Sequence, residues 1–230
     1  MGAQFASCWL MLWGMSAPRL HVPAVPARPG ESPDFSYVRL SPAGAVHCLP
    51  IDAPVSATVP LAEELIRVLD DAHHAVGPWN PQLDPEVLRR GLRTMLQTRV
   101  FDDRMQRAQR QGRITFYVRS LGEEAVSVAA AMALADRDML FPSYRNQGLH
   151  LARGLTLVEM MSQLLSNTRD MCKGRQLPVM YHSTAHRLFS ISGNLATQFP
   201  QAVGWAMAAA IKGESDIAAA WIGEGSTAAA

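Results

Sequence analysis

Three segments of the chain carry residue types that can do chemistry. Ser143-Tyr144-Arg145 follows directly on the apolar run Met139 to Phe141, where an open sheet would present its loops to a ligand. A guanidinium there can clamp a phosphate through two parallel hydrogen bonds. The same letters suit a surface arginine beside a packing tyrosine, and spacing does not choose between the two. In Ser192-Gly-Asn-Leu-Ala-Thr-Gln198, hydroxyls and amides surround one leucine just ahead of a helix-forming stretch. Helix starts attract anions, and oxygens this close together can ring a monovalent cation; a plain capping turn would use them as well. The third segment is the apolar run Ile217 to Ile222 followed by Gly223-Glu224-Gly225-Ser226. Two glycines let the backbone approach a diphosphate, and an acid at the carboxyl end of a strand offers Mg²⁺ a hard oxygen. Thr227-Ala228 supplies no third glycine, so the G-x-G-x-x-G dinucleotide fingerprint is absent and an NAD site is disfavoured.

The histidines invite a metal reading and do not support one. His73 and His74 read as solvated loop residues. His182 and His186 have the spacing of one helical turn, but their Gly, Pro and Ser neighbours argue against a helix, so they are not read as ligands.

Positioning these groups requires a scaffold, and the pattern predicts one. A helix starts at Asp84-Pro85, where a side-chain oxygen caps free amides and a proline loses nothing, and stops at Gly112. Leu88, Leu92, Met95 and Leu96 are read as its apolar stripe, with Arg89, Arg90 and Arg93 on the wet side. A slim Ala- and Val-rich helix is expected over residues 122–135, then a buried strand at Met139 to Phe141. Thr156-Leu-Val-Glu159 is a capping box opening a helix that carries Met160, Met161, Leu164 and Leu165. Residues 168–187 show no period and read as loop, a small-residue helix runs from about Pro200 to Lys212 with its stop at Gly213, and Ile217 to Ile222 is strand. This order predicts an α/β fold with a mostly parallel sheet flanked by helices, over residues 84–230. Residues 1–83 form an extended arm and linker, because nine of the fifteen prolines lie between Pro18 and Pro60. Within the arm, Phe35 to Leu40 alternates as one short strand, Leu61 to Leu69 is helix-permissive, and residues 70–81 are loop.

Bulk composition narrows the function classes. With 48% hydrophobic residues over 230, the chain can bury a core. Its 21 Lys and Arg against 20 Asp and Glu advertise neither a nucleic-acid nor an anionic-membrane partner. Three scattered cysteines, Cys8, Cys48 and Cys172, match no disulfide framework or zinc pattern and point to a reducing cytoplasm. The apolar, uncharged stretch Met1 to Met15 is too short to span a bilayer and lacks the basic start of a secretory signal, and Met15 is expected to be the true start.

Five stretches occur in an order that resembles the bacterial-type alpha subunits of branched-chain 2-oxo acid dehydrogenases. They are Phe116-Tyr-Val-Arg-Ser-Leu-Gly-Glu-Glu124, Pro142-Ser-Tyr-Arg145, Lys173-Gly-Arg-Gln-Leu-Pro178, Ile191-Ser-Gly-Asn-Leu-Ala-Thr-Gln198 and Gly223-Glu-Gly225. The arm, from Ala17 to Pro23 and Asp34 to Tyr37, resembles the same proteins. Pyruvate-specific relatives carry a Gly-Gly-Ser-Met-His-like loop where this chain has Gly174-Arg-Gln-Leu-Pro178.

The resemblance implies a thiamine-diphosphate-binding fold and a role for each matching residue. Tyr144 and Arg145 would hold the cofactor diphosphate, with Gly223, Gly225 and Ser226 approaching it by backbone. Glu224 would bind Mg²⁺, and Leu195 would wedge beneath the bent cofactor. Ser192, Thr197, Gln198 and the Asn194 carbonyl would surround K⁺. Gly193 belongs to the cofactor-contacting set, but without the side chain that some relatives have there. The implied reaction is oxidative decarboxylation of branched-chain 2-oxo acids with acyl transfer to lipoyl groups. Its implied partners are a beta subunit in a heterotetramer and the lipoyl acyltransferase core, with no nucleic acid and no membrane. The resemblance assigns no catalytic residue in this stretch. Relatives continue to a paired asparagine and a histidine that follow, so the chain is expected to be C-terminally truncated, weak in cofactor binding and inactive alone. The rival readings are a pyruvate or acetoin dehydrogenase alpha subunit and a non-catalytic assembly fragment.

Overall fold

The computed structural model describes residues 28, 30–32, 34, 41–50 and 52–228, and these divide between one unit of residues 1–82 and another of 83–230. The segment Met1 to Met15, Cys8 and the expected strand Phe35 to Leu40 lie outside the described residues. In the first unit, helix α1 is one turn, Val55–Thr58, continued by the 3₁₀ turn Val59–Glu63 with Pro60 in its first positions. The helix-permissive stretch Leu61 to Leu69 is helical only through Glu63. Glu64 is already extended, and Leu69 pairs antiparallel with Ala75. The Asp70 carboxylate accepts hydrogen bonds from the amides of Ala72 and His74 at 2.9 and 2.8 Å, so an Asx turn supplies local bonds that a helix would have had to supply instead.

The second unit opens with α2, Pro85–Arg110, whose first turn is capped by Asp84 Oδ1 accepting from the Glu86 amide at 2.7 Å. The expected apolar stripe does not face the core: Leu88, Leu92 and Leu96 are all more than half exposed. The buried face of α2 carries Gly91, Thr98, Phe101 and Asp102 instead. At Gly91 and Thr98 small residues win because the neighbouring helices come so close there. A Cβ on Gly91 would sit 3.2 Å from Met132 Sδ of α3 (Glu124–Ala133), and one on Gly148 of α4 (Gln147–Ala152) would sit 3.2 Å from Thr98 Oγ1. Bulky leucines could not enter such a crossing.

Strand β1, Met139–Phe141, is wholly buried, and β2, Ala218–Ala220, pairs parallel to it in the register Met139 to Ala218. Leu188 forms a parallel bridge to Leu140 on the other side, through Leu140 N to Arg187 O at 2.9 Å and Phe189 N to Leu140 O at 2.8 Å. β1 is therefore the central strand of a small parallel sheet in a helix-rich unit. Helix α5, Leu157–Leu164, starts at Thr156 with both halves of the capping box formed, burying Met160 and Leu164 while Leu165 is exposed. α6 spans Gln198–Lys212, two residues earlier than expected, and ends at Gly213, which takes the left-handed φ of 73° that closes a helix. β2 is shorter than the run Ile217 to Ile222, and the one-turn helix α7, Glu224–Thr227, follows it. Among the described residues, no helix is long and apolar enough to cross a membrane.

Candidate functional site

Because β1 and β2 run parallel, the loops that follow them leave on the same side of the sheet. After β1, the chain turns through Ser143 to Asn146. The buried Asn146 holds this turn: its Oδ1 accepts from Ser143 N at 2.8 Å and Ser143 Oγ at 2.9 Å, and its Nδ2 donates to Ser127 Oγ at 3.2 Å. The exposed guanidinium of Arg145 is not loose, since its Nη1 donates to the Arg119 carbonyl at 2.7 Å and its Cζ lies 5.8 Å from the Tyr144 ring centroid. After β2, the Trp221 carbonyl accepts from Gln198 Nε2 at 2.7 Å, which ties the Gly223 loop to the start of α6.

These loops enclose a cavity of about 530 Å³. Ser143, Tyr144 and Arg145 line one part of it, and Gly223, Gly225 and Ser226 another. Ser192, Asn194, Leu195 and Gln198 complete the wall from the segment ahead of α6. Thr197 and the side chain of Glu224 do not line this cavity. Gly193 lines a neighbouring one of about 630 Å³, mostly apolar through Phe116, Val118, Leu177 and Met180, which shares Tyr144 and Arg145 with the first.

Sequence reasoning overlooked five lining residues: Glu123, Val126, Asn146, Trp221 and Ile222. Glu123 sits just before α3, and burial raises its carboxyl, opposed by the charge of Arg145 and reinforced by that of Glu124. The motif Gly122-Glu-Glu124 was visible as letters, but nothing in its spacing tells which carboxylate turns to a cavity.

The donor set suits a phosphorylated ligand. A cationic fork stands at one edge, while a Cβ on Gly223 would meet nothing and one on Gly225 would meet only Leu195 Cδ1 at 4.0 Å, so the backbone here is bare toward open space. Leu195 is more than half exposed within that space. Next to it, Ala196 holds a left-handed φ of 64°, uncommon for a residue with a side chain and a mark of a constrained turn. Gln198 commits its amide nitrogen to Trp221, which leaves its oxygen as the end available to a cation. Among the described residues, no three His, Cys, Asp or Glu side chains gather into a metal site. Mg²⁺ commonly takes one or two carboxylate oxygens and the rest from phosphate and water; the carboxylate that lines the cavity is that of Glu123, while that of Glu224 lies outside the lining.

Beneath the Ser143 turn lies a buried histidine. His150 Nδ1 bonds the Asn146 carbonyl at 2.7 Å, Nε2 has no partner, and the ring stacks edge-on against Tyr181 at 5.2 Å. Burial pulls its pKa from 6.5 down to about 4, only partly offset by the Asn146 bond. Between those values the unfolded chain binds a proton that the folded one refuses, so the stability present above pH 6.5 is lost as pH falls through the window toward 4. The loss should approach about 1.4 kcal/mol per pH unit. Urea midpoints at pH 7, 6 and 5 should therefore fall more steeply for the native chain than for His150→Gln; parallel trends would refute it.

Residues 92–230 match the family model described as the dehydrogenase E1 component, and residues 16–56 match that of the 2-oxoisovalerate dehydrogenase E1 alpha subunit N terminal. The 2-oxoisovalerate dehydrogenase subunit alpha of Pseudomonas aeruginosa is 60% identical over 210 residues, covering 91% of this chain and 51% of that protein. Subunit alpha 2, mitochondrial, of Arabidopsis thaliana is 39% identical over 162 residues, covering 70% of this chain and 34% of its own length. The mitochondrial subunit alpha of Bos taurus is 37% identical over 162 residues, covering 70% and 36%. The chain thus spans about half the length of the bacterial relative, and about a third of the others.

Proposed function

Because the chain belongs to the dehydrogenase E1 component family, we propose that it is the cofactor-holding part of a branched-chain 2-oxo acid (2-oxoisovalerate) dehydrogenase alpha subunit, working in the cytoplasm. The observation that carries this reading is one cavity lined both by Arg145 and by the bare backbone of Gly223 and Gly225, with Leu195 beside Gly225 in the same wall. In this reading Arg145 and Tyr144 hold the diphosphate of thiamine diphosphate, and Ser226 and the two glycines approach it without side-chain bulk. Leu195 would support the cofactor from below, with Gly193 of the neighbouring cavity adding no side-chain bulk. Glu224, although outside the cavity lining here, would give Mg²⁺ one carboxylate oxygen. K⁺ would be held by Ser192, Thr197, Gln198 and the Asn194 carbonyl. When bound, thiamine diphosphate supplies a nucleophilic carbon and an electron sink for decarboxylation. The protein's own work is to orient that cofactor and to keep its phosphate charge neutralised.

The apolar cavity shared at Tyr144 and Arg145 suits the branched aliphatic side chain of a 2-oxo acid. Two exposed apolar ladders, Leu88, Leu92, Leu96 and Val100 on α2 and Phe199, Val203, Met207 and Ile211 on α6, support an assembly with further protein surface, here a beta subunit in a heterotetramer. The acyl group would then pass to the lipoyl disulfide of an acyltransferase core, which would take up the two electrons and open to a thioester and a free thiol. The test is co-expression with the cognate beta subunit, followed by carbon dioxide release from 3-methyl-2-oxobutanoate and from pyruvate, with and without thiamine diphosphate and Mg²⁺. Cofactor-dependent release favouring the branched acid is expected. Preference for pyruvate moves the chain to the pyruvate-type enzymes. A complex without any release makes it an assembly piece.

A further inference from the structure

Asp102 lies on α2, lines neither cavity and is fully buried, yet it binds three of the four residues 117–120 of another segment. Its Oδ1 accepts from Tyr117 Oη at 3.1 Å, from the Ser120 amide at 2.8 Å and from Ser120 Oγ at 3.4 Å, and its Oδ2 accepts from Arg119 Nε at 2.8 Å. Arg119 also pairs with Asp103. The strip from Tyr117 to Ser120 is thus pinned from behind by one carboxylate. On its other side the same strip offers carbonyls: Val118 O accepts from Gln147 Nε2 at 2.9 Å, and Arg119 O accepts from Arg145 Nη1 at 2.7 Å.

We propose that Asp102 is a positioning residue for the anion clamp: through the Tyr117 to Ser120 strip and the Arg119 carbonyl, it aims the Arg145 guanidinium at the cavity. This rests on the reading of that cavity as a diphosphate site. The physical reason is preorganisation. An exposed arginine loses considerable rotamer freedom when it grips an anion, and a side chain already tethered by one N–H has lost part of it before the ligand arrives. The remaining donors of the planar fork stay free for phosphate oxygens. A carboxylate suits the back of the strip because it accepts only; every group it meets, hydroxyl, amide and guanidinium, is donating.

Asp102→Asn keeps the volume and turns donors toward donors. In the protein assembled with its beta subunit, this variant should weaken binding of thiamine diphosphate with Mg²⁺, and of inorganic pyrophosphate, by roughly ten- to a hundredfold, as loss of an outer partner of a ligand-holding group does. In an Arg145→Ala background the same change should cost nothing more, since the clamp it serves is gone. An equal penalty in both backgrounds means that Asp102 merely holds the fold, and no penalty in either means that it does nothing for the clamp; both overturn the proposal. If Asp102→Asn does not fold, Arg119→Gln breaks the same tether at a half-buried site and carries the same comparison. Amide hydrogen exchange separates this inference from the cofactor reading. Should the native assembly bind neither ligand, that reading falls; faster exchange in both 117–120 and 144–146 on Asp102→Asn would still uphold the tether, and faster exchange in 117–120 alone would overturn it.

Discussion

Arg145→Ala is expected to weaken thiamine diphosphate binding about a hundredfold, equivalent to ~3 kcal/mol. The magnitude follows from what the side chain offers. Exposed ion pairs contribute little, but a guanidinium at the mouth of a concave site can give a phosphate two charge-assisted hydrogen bonds, at about 1.5–3 kcal/mol each before solvation is discounted. Arg145 is exposed, so the lower half of that sum is the sensible expectation. Titration calorimetry on the assembled protein reads it directly. Arg145→Lys should recover part of the loss, because it restores the charge without the fork. Thiamine lacking its phosphates should bind equally to both forms, and a diphosphate affinity unchanged in Arg145→Ala would remove the clamp and the functional reading built on it.

How much of this was legible in the letters depended on whether an interaction is local. Thr156 and Glu159 announced their helix because the bonds of a capping box join residues three apart, and both halves form: Glu159 N to Thr156 Oγ1 at 3.2 Å and Thr156 N to Glu159 Oε2 at 2.7 Å. β1 was legible as a short apolar run between breaks. The face of α2 was not. Its leucine ladder has the right period, but period gives a stripe and not the direction in which it turns. That was decided by how closely α3 and α4 approach Gly91 and Thr98. Polar core residues were equally silent, since Asp102, Asn146, Gln147 and His150 find their partners many residues away or in the backbone. The unperiodic segment 168–187 read correctly as irregular, yet it buries Val179 and Tyr181 as core and packs Cys172 Sγ 3.4 Å from both His182 Nδ1 and Gln163 Oε1. At the site, three separated motifs line one cavity, because parallel strands deliver their loops to a common edge. Glu224 and Thr197 were read in the same motifs and do not line it, for the orientation of one side chain within a turn is a tertiary property.

Leu140→Ala should cost about 3–5 kcal/mol, the range for emptying a core position whose walls cannot collapse. Leu140 has no exposed surface. It lies between Ala131, Leu149 and Leu188, with Ala219 and Trp221 packed on the same cluster, and its own backbone bonds run to the Leu188 segment. A central strand with neighbours on both sides has little freedom to close the void. Set against a typical total of roughly 5–15 kcal/mol, that is a large share of the stability of any domain. Urea unfolding followed through Trp205 and Trp221 should show the midpoint falling with little change in slope. The surface control is Leu96→Ala, at 58% exposure, which should stay within ~0.5 kcal/mol. The same truncation reaches the cavity, because Trp221 packs on this cluster and its carbonyl anchors Gln198, so diphosphate affinity should drop in Leu140→Ala even where the chain remains folded. Equal shifts for Leu140→Ala and Leu96→Ala would mean that β1 is not the centre of this core, and the shared edge that gathers the three motifs would lose its support.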